Sequence, residues 1–185
     1  MANIKFIRWL LAILFFFGLV FLVPGCSNTT TTEKSVNNDP LNFYNKIQLS
    51  ELKSEVDAAL GVVPEEKDGT FTYTDKSTGF GIIVSYDSGN SVIMKTLYTA
   101  DESEIMALSN AKVTEDQLAS ITKGMTYEEV KGILGGEGIE IISMANPMDK
   151  NNPINVMIWF NDDETGFYVT FIGDKGTVQS VKYWK

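Results

Sequence analysis

Residues 165–176 read TGFYVTFIGDKG, and residues 78–89 carry a related stretch, TGFGIIVSYDSG, 87 positions earlier. The two stretches share five identities over 12 positions: the opening Thr-Gly-Phe, an Asp and the closing Gly. Both are rich in β-branched and aromatic residues and end in turn-forming residues, which is typical of a β-strand followed by a tight turn. Runs of the same character recur in both halves of the chain. Strands are predicted at 71–74, 80–86, 92–98, 139–144, 156–160, 167–172 and 177–184.

A second pair of stretches shows that the repetition extends beyond the strands. IQLSELKSEVDAALG at residues 47–61 and ITKGMTYEEVKGILG at 121–135 share five identities over 15 positions, at an offset of 74. Because the two motifs occur in the same order in both halves, an internal repeat is predicted. The extra residues of the second copy fall in a Pro- and Asn-rich loop near 144–156. The predicted domains are a first repeat at 41–100, a linking helix at 101–113 and a second repeat at 114–185.

Residues 121–135 also carry the start and stop signals of a helix. Thr126 and Glu129 match the capping-box pattern, an apolar stripe follows, and Gly135 suits the left-handed position that ends a helix. In the first repeat Ser50 is the expected cap and Gly61 the expected stop. Short helices are predicted before each of these, from Asp39-Pro40 and from Thr114–Gln117. The predicted fold class is α+β, with two tandem repeats, each a helix-turn-helix pair packed on a three- to four-stranded antiparallel sheet.

The pattern Ile121-Thr-Lys-Gly124-Met125-Thr126, followed by Leu134-Gly135 and by strands ending in aromatic residues, resembles a known family. It is similar to the β-lactamase-inhibitory-protein-like fold, which includes tandem-repeat bacterial lipoproteins and the small lipoprotein of the outer-membrane barrel-assembly machinery. The resemblance covers residues 41–185. It implies a concave sheet whose hairpin loops insert an acid and an aromatic side chain into a target. The corresponding loops would be Asp75–Gly79 with Phe80, and Asn161–Gly166 with Phe167.

The N-terminal residues have the organisation of an export signal. Lys5 and Arg8 precede an apolar run from Trp9 to Val23, which is short for a membrane span and has no positive cluster after it. Val23-Pro24-Gly25-Cys26 resembles a bacterial lipobox, which implies diacylation of Cys26 and cleavage before it. Two acyl chains are sufficient for stable anchoring. Residues 1–25 are therefore predicted to be a lipoprotein signal peptide.

Residues 26–40 are rich in Ser, Thr and Asn and are predicted to form a disordered tether. The net charge of −9 argues against binding to nucleic acid and against electrostatic docking on anionic lipid. We therefore expect attachment through the lipid on Cys26, at the extracytoplasmic face of the cell membrane, or at the outer membrane in a Gram-negative cell. The alternative is an uncleaved signal anchor with an incidental cysteine.

The available residue types limit the chemistry of the folded part. The chain has no histidine, and its one cysteine is assigned to the lipid, which excludes Ser-His-Asp and Cys-His catalysis and histidine-based metal sites. The acidic stretches Asp162–Glu164 and Asp149–Asn152 are interpreted as solvated loops, and the second lacks the spacing of a calcium loop. We predict a protein that is not an enzyme and needs no cofactor or metal.

The aromatic residues of the second repeat are the candidates for binding. In a sheet covered by helices on one side, alternate side chains point away from the core. This alternation assigns Met157, Trp159 and Tyr168 to an uncovered face, with one of the last two aromatic residues beside them. Aromatic residues and Met are enriched at the centres of interfaces. With the two loop aromatics included, the predicted interaction residues are Met157, Trp159, Phe167, Tyr168, Tyr183, Trp184 and Phe80.

These expectations predict a membrane-anchored protein-binding module, with an inhibitor-like mode as one form of it and an unidentified protein as its partner. Two alternatives remain open at this stage. One is a structural or assembly subunit of an envelope complex, and the other is a lipoprotein that binds a small ligand. The aromatic side chains could also pack against the other repeat or against one another instead of facing a partner.

Replacing the acylated residue tests the anchor. The variant Cys26→Ser should appear in the soluble fraction or at the wrong location, because it cannot receive the diacylglycerol that holds the protein on the membrane. Fractionation of cells expressing each form measures this. Circular dichroism of the Cys26→Ser protein should match that of the native form, and a loss of folded structure would contradict the assignment of Cys26 to anchoring.

Overall fold

The computed structural model describes residues 39–109, 111–173 and 176–185. Four short α-helices lie among them: α1 Asn42–Lys46, α2 Lys53–Leu60, α3 Glu102–Met106 and α4 Tyr127–Leu134. A 3₁₀ helix spans Glu115–Ser120. The strands are β1 Glu65–Lys67, β2 Thr70–Thr74, β3 Phe80–Tyr86, β4 Val92–Thr99, β5 Ile139–Met144, β6 Ile154–Phe160, β7 Gly166–Ile172 and β8 Thr177–Trp184. None of the described helices is long and apolar enough to cross a membrane.

All eight described strands form a single antiparallel sheet in chain order, so the predicted fold class is wrong. Two helix-turn-helix repeats on separate sheets were expected, whereas β4 of the first half pairs directly with β5 of the second through Met94↔Met144, Lys95↔Ser143 and Thr96↔Ile142. The helices are short, and the sheet rather than the predicted helix pairs dominates the architecture. Pairing β4 with β5 satisfies backbone groups that two separate sheets would leave open at their edges.

The local helix signals behave as the sequence predicts in the second half. The Thr126 backbone N–H donates to Glu129 Oε2 at 2.8 Å, and Gly135 has a φ of 80°, which confirms the capping box and the stop. In the first half Gly61 ends α2 in the same way, with a φ of 65°. The predicted cap Ser50 is wrong, because Leu52 occupies the N-cap position and its N–H donates to Glu55 Oε2. The Glu side chain alone supplies the cap there.

Apart from α3, the described helices pack on one face of the sheet in two groups, and each group covers its own hydrophobic cluster. The first cluster joins α1 and α2 to β2–β4, and its most buried members are Ile47, Val56, Tyr73, Ile82 and Val84. The second cluster joins α4 and the 3₁₀ helix to β6–β8, and includes Val130, Leu134, Trp159, Phe167, Val169 and Phe171. Full burial of such a side chain stabilises the fold by about 1.5–3 kcal/mol.

Polar residues occupy the sheet where the two clusters meet. Lys95, Ser143 and Asn155 are direct cross-strand neighbours on β4, β5 and β6, and all three are buried. Ser143 Oγ donates to Asn155 Oδ1 at 2.8 Å. Lys95 Nζ donates to the backbone oxygens of Tyr44 and Ile47, at 3.2 and 2.8 Å. This row therefore ties α1 to the strands on both sides of the junction.

Tyr44 and Glu140 complete the same network. The Tyr44 hydroxyl donates to Glu140 Oε1 at 2.9 Å, and Lys95 Nζ lies 4.1 Å from the centre of the Tyr44 ring and 4.0 Å from Glu140 Oε1. Burial, reinforced by the charge of Glu140, raises the pKa of Tyr44, so its hydroxyl stays protonated and donates. Burial lowers the pKa of Lys95, although the charge of Glu140 opposes this. The network links α1 and β4 to β5.

Several predictions concern residues that lie outside the described part of the chain. The signal peptide at 1–25, the lipidated Cys26 and most of the tether at 26–40 are among them. They stay predictions from the sequence.

The hydroxyl of Tyr44 should contribute measurably to stability. Tyr44→Phe removes the hydrogen bond to Glu140 and should lower the free energy of unfolding by about 1–3 kcal/mol, because the acceptor is charged and partly buried. Urea denaturation measures the difference. Tyr183→Phe is the matched control, since its hydroxyl makes no hydrogen bond to the described residues, and it should change the free energy by less than about 0.5 kcal/mol. Equal losses in the two variants would contradict a role for the Tyr44 contact.

Candidate functional site

Among residues 39–109, 111–173 and 176–185, α3 is the helix that lies on the second face of the sheet, at one end. Alternate residues along β2–β7 lie on this face, and they pair with one another from strand to strand. We call this surface the open face. Its residues are Thr70, Thr72, Thr74, Gly81, Ile83, Ser85, Met94, Thr96, Tyr98, Ile142, Met144, Ile154, Val156, Ile158, Phe160, Gly166, Tyr168, Thr170 and Ile172.

The open face is uncharged, although 21% of the residues of the chain are charged and the net charge is −9. Charged side chains appear in this register only on the outermost strands, at Glu65 and Lys67 on β1 and at Lys182 on β8. Most of the central side chains are half-buried in the isolated chain, among them Ile83, Ile142 and Val156. A continuous uncharged and largely apolar surface on an acidic protein is typical of an interaction site.

A groove of about 410 Å³ lies where α3 crosses one end of the open face. Its floor is formed by strands on both sides of the junction between β4 and β5, and α3 supplies one wall. The lining residues are Ile83, Thr96, Leu97, Tyr98, Thr99, Glu102, Ile105, Met106, Ile141, Ile142, Ile158 and Tyr168. Glu102 is the one charged residue in this lining. Burial, together with the nearby Glu102, raises the pKa of Tyr168, so the phenol stays neutral.

The two hairpin loops singled out in the sequence lie at the same end of the sheet as α3, because β2, β4 and β6 all run in that direction. In the first loop Asp75 Oδ1 accepts from the backbone and the hydroxyl of Ser77, and in the second Asp163 Oδ1 accepts from those of Thr165. These bonds fix both turns. Although burial raises the pKa of Asp75, the bonds from Ser77 hold it below its usual range.

The structure places Trp159 and Met157 on the helix-covered face, so their expected position on the open face is wrong. Trp159 is 1% exposed and its indole N–H donates to the Gly136 backbone oxygen at 2.8 Å. A Cβ at Gly138 would lie 2.5 Å from the indole ring, so the ring fits only because that residue is glycine. The alternation in β6 is therefore opposite to the expected one, and Ile158 and Phe160 lie in the open-face register.

The remaining predicted interaction residues divide between the two faces. Phe167 and Phe80 are buried in the second and first clusters, and Tyr183 packs on Phe167 with ring centres 5.2 Å apart. Tyr168 and Trp184 lie on the other side, with ring centres 6.3 Å apart, and Trp184 is 42% exposed. Of the predicted set, only these two are placed where a partner could reach them on the open face. Their role in binding stays a prediction.

Sequence reasoning missed the β-branched residues that make up the centre of the open face, such as Ile83, Thr96 and Val156. The hairpin between β6 and β7 contains the signal that could have found them. Phe160 pairs with Gly166, which places Trp159 directly opposite Phe167. The assignment of Tyr168 to the uncovered face turns its neighbour Phe167 toward the core. Because cross-strand partners share a face, Trp159 then required a core position as well.

The chemistry available elsewhere in the described residues is limited. They contain no group of three or more acidic, His or Cys side chains arranged to hold a metal ion. A buried amine can act as a nucleophile or base, and Lys95 is buried. Its ammonium group donates to two backbone oxygens and lies against the Tyr44 ring, so its role is structural. No family model matches the chain, and no curated protein matches it either.

The buried Trp159 and the exposed Trp184 should behave differently on truncation. Trp159→Ala should lower the free energy of unfolding by about 3–5 kcal/mol, because it leaves a cavity in the second cluster and an unpaired Gly136 oxygen. Trp184→Ala should lower it by less than about 1.5 kcal/mol, since that side chain is partly solvated in the folded state. Guanidinium denaturation measures both. Similar losses would contradict the assignment of these side chains to opposite faces.

Proposed function

We propose that the protein is a non-enzymatic, lipid-anchored module of the cell envelope that binds another protein through the open face. The observation that carries the proposal is the absence of charge across the open-face register of β2–β7 in a chain with a net charge of −9. A surface exposed only to water would gain solubility from charged residues at these positions. The lipobox resemblance at Cys26 and the polar tether support a position close to, but not on, the membrane.

The composition of the open face favours a protein over a nucleic acid or an anionic lipid surface as the partner. Thr side chains alternate with Ile, Val and Met, so the face combines apolar area with hydroxyl groups that can donate and accept hydrogen bonds. Basic residues, which phosphates require, are missing from this register of the central strands. Tyr168 and Trp184 add aromatic side chains of the kind that dominate the energetics of protein interfaces.

The position of the open face on strands gives it a fixed shape. Each residue is held by pairing on both sides within β2–β7, so little conformational entropy is lost when a partner docks. The two hairpin loops with fixed Asp75 and Asp163 turns border one end of this surface. We propose that they contribute contacts at the margin of the interface, while the strands supply its centre.

Photocrosslinking in living cells tests the proposal on the anchored protein. A benzophenone amino acid placed at Thr170, in the open-face register of β7, should form a covalent adduct with a partner protein. The matched control places the same group at Thr122, an exposed threonine before α4 that does not belong to the sheet. Adducts are detected by electrophoresis and identified by mass spectrometry. Adducts that are missing at 170, or equal at both positions, would contradict the proposal.

A further inference from the structure

The groove at the α3 end of the open face differs from the rest of that surface in its electrostatics. Its floor and walls are apolar, with Ile83, Ile142 and Ile158 from three strands and Ile105 and Met106 from α3. Its rim is acidic: the segment 101–109 contains Asp101, Glu102 and Glu104 and no basic residue. The lining residues that the structure describes include no lysine or arginine.

The three acids of this rim have different surroundings. Asp101 Oδ1 accepts from the backbone and the hydroxyl of Ser103 and thereby caps α3, and Glu104 Oε2 accepts from the Thr99 hydroxyl at 2.6 Å. Glu102 lines the groove itself and is exposed, and none of the salt bridges among the described residues includes it. The first two acids therefore fix the end of the groove, and Glu102 is the carboxylate positioned to meet an incoming group.

Two tyrosines belong to the same lining as Glu102, and the charge of Glu102 acts on one of them, Tyr168. Tyr98 projects from β4 and Tyr168 from β7, and the phenol of Tyr168 is held neutral. Neutral hydroxyl oxygens accept hydrogen bonds from an ammonium or guanidinium group, and the tyrosine rings attract a cation that lies over them. The apolar volume is comparable to that of the smaller ligand pockets, which is enough for a large aliphatic or aromatic side chain.

We propose that this groove is the anchor point for the partner, and that it takes a protein segment in which a large apolar side chain is followed by a lysine or arginine. The inference rests on the proposed function of the open face. The apolar side chain enters between α3 and the strands, and the basic group meets Glu102 with the two phenols around it. Charge complementarity selects this occupant over an acidic or an uncharged segment, because every charged residue of the lining and of the flanking 101–109 segment is an acid.

Defined peptides test the proposal on the full anchored chain. The protein is displayed on phosphatidylcholine nanodiscs, and fluorescence anisotropy measures its binding to short Gly/Ser peptides that carry Leu followed by Lys. Replacing the peptide Lys by Glu should weaken binding by about threefold to fivefold, as expected for loss of a partly exposed ion pair. Replacing the peptide Leu by Ser should weaken it by about tenfold, because the buried methylene groups are lost.

Charge reversal on the protein provides the decisive comparison. Glu102→Lys should reverse the preference, so that the Leu-Glu peptide binds better than the Leu-Lys peptide. The matched control is Glu128→Lys, an exposed glutamate in the first turn of α4 on the helix-covered side, which should keep the native order. An unchanged preference in Glu102→Lys would overturn the proposal.

Two further outcomes are also decisive. If a fluorescent monoacylglycerol binds the groove and neither peptide does, the groove is a lipid site and the inference is wrong. If no peptide binds while the benzophenone at Thr170 still forms adducts, the anchor assignment fails and the open face stands as the interface. If no adduct forms at Thr170 while the peptides still bind in a charge-dependent way, the proposed function of the open face fails and the groove assignment stands.

Discussion

The structure depends on the pairing of β4 with β5, three residue pairs that join the two halves into one sheet. This is a short ladder for such a role, and side-chain contacts strengthen it on the helix-covered face. Lys95 donates to the end of α1, Tyr44 of that helix donates to Glu140, and Glu140 belongs to β5. The junction therefore combines backbone pairing with a buried polar network that includes a charged lysine. Such networks stabilise a fold only when each member is satisfied, as Lys95 is here.

The junction also explains why the two faces of the sheet differ. On one face the helices form two groups over two hydrophobic clusters, and a polar row lies between them. On the other face the strands of both halves form one surface, which α3 alone crosses in the part of the chain that the structure describes. The open face and its groove draw residues from β3 and β4 in the first half and from β5, β6 and β7 in the second. Neither half could build this surface alone.

Local features could be read from the sequence, whereas the long-range ones could not. The capping box at Thr126, the stop at Gly135 and the strand runs are encoded within a few residues. The single sheet depends on β4 meeting β5 across the long connection that contains α3 and α4, and no periodic pattern specifies that meeting. The sequence assigns the side chains of β6 to the wrong faces because Ile, Trp and Phe are adjacent there. Since all three are apolar, hydrophobicity does not show which of them face the core. The indole hydrogen bond to Gly136 and the space at Gly138 decide it.

An uncharged sheet face favours self-association, and the edges of the sheet limit one route to it. β1 is three residues long, fully exposed and mostly acidic, with Pro64 before it, which are devices that prevent pairing with other chains. At the other edge, the segment before α4 bonds to the start of β8 through Gly124 and Met125. Strand addition is therefore disfavoured at β1 and at the start of β8, and the side chains of the open face supply its contacts. In the proposed interface, specificity is set by the shape and charge of the groove under α3, where apolar strands and an acidic rim meet.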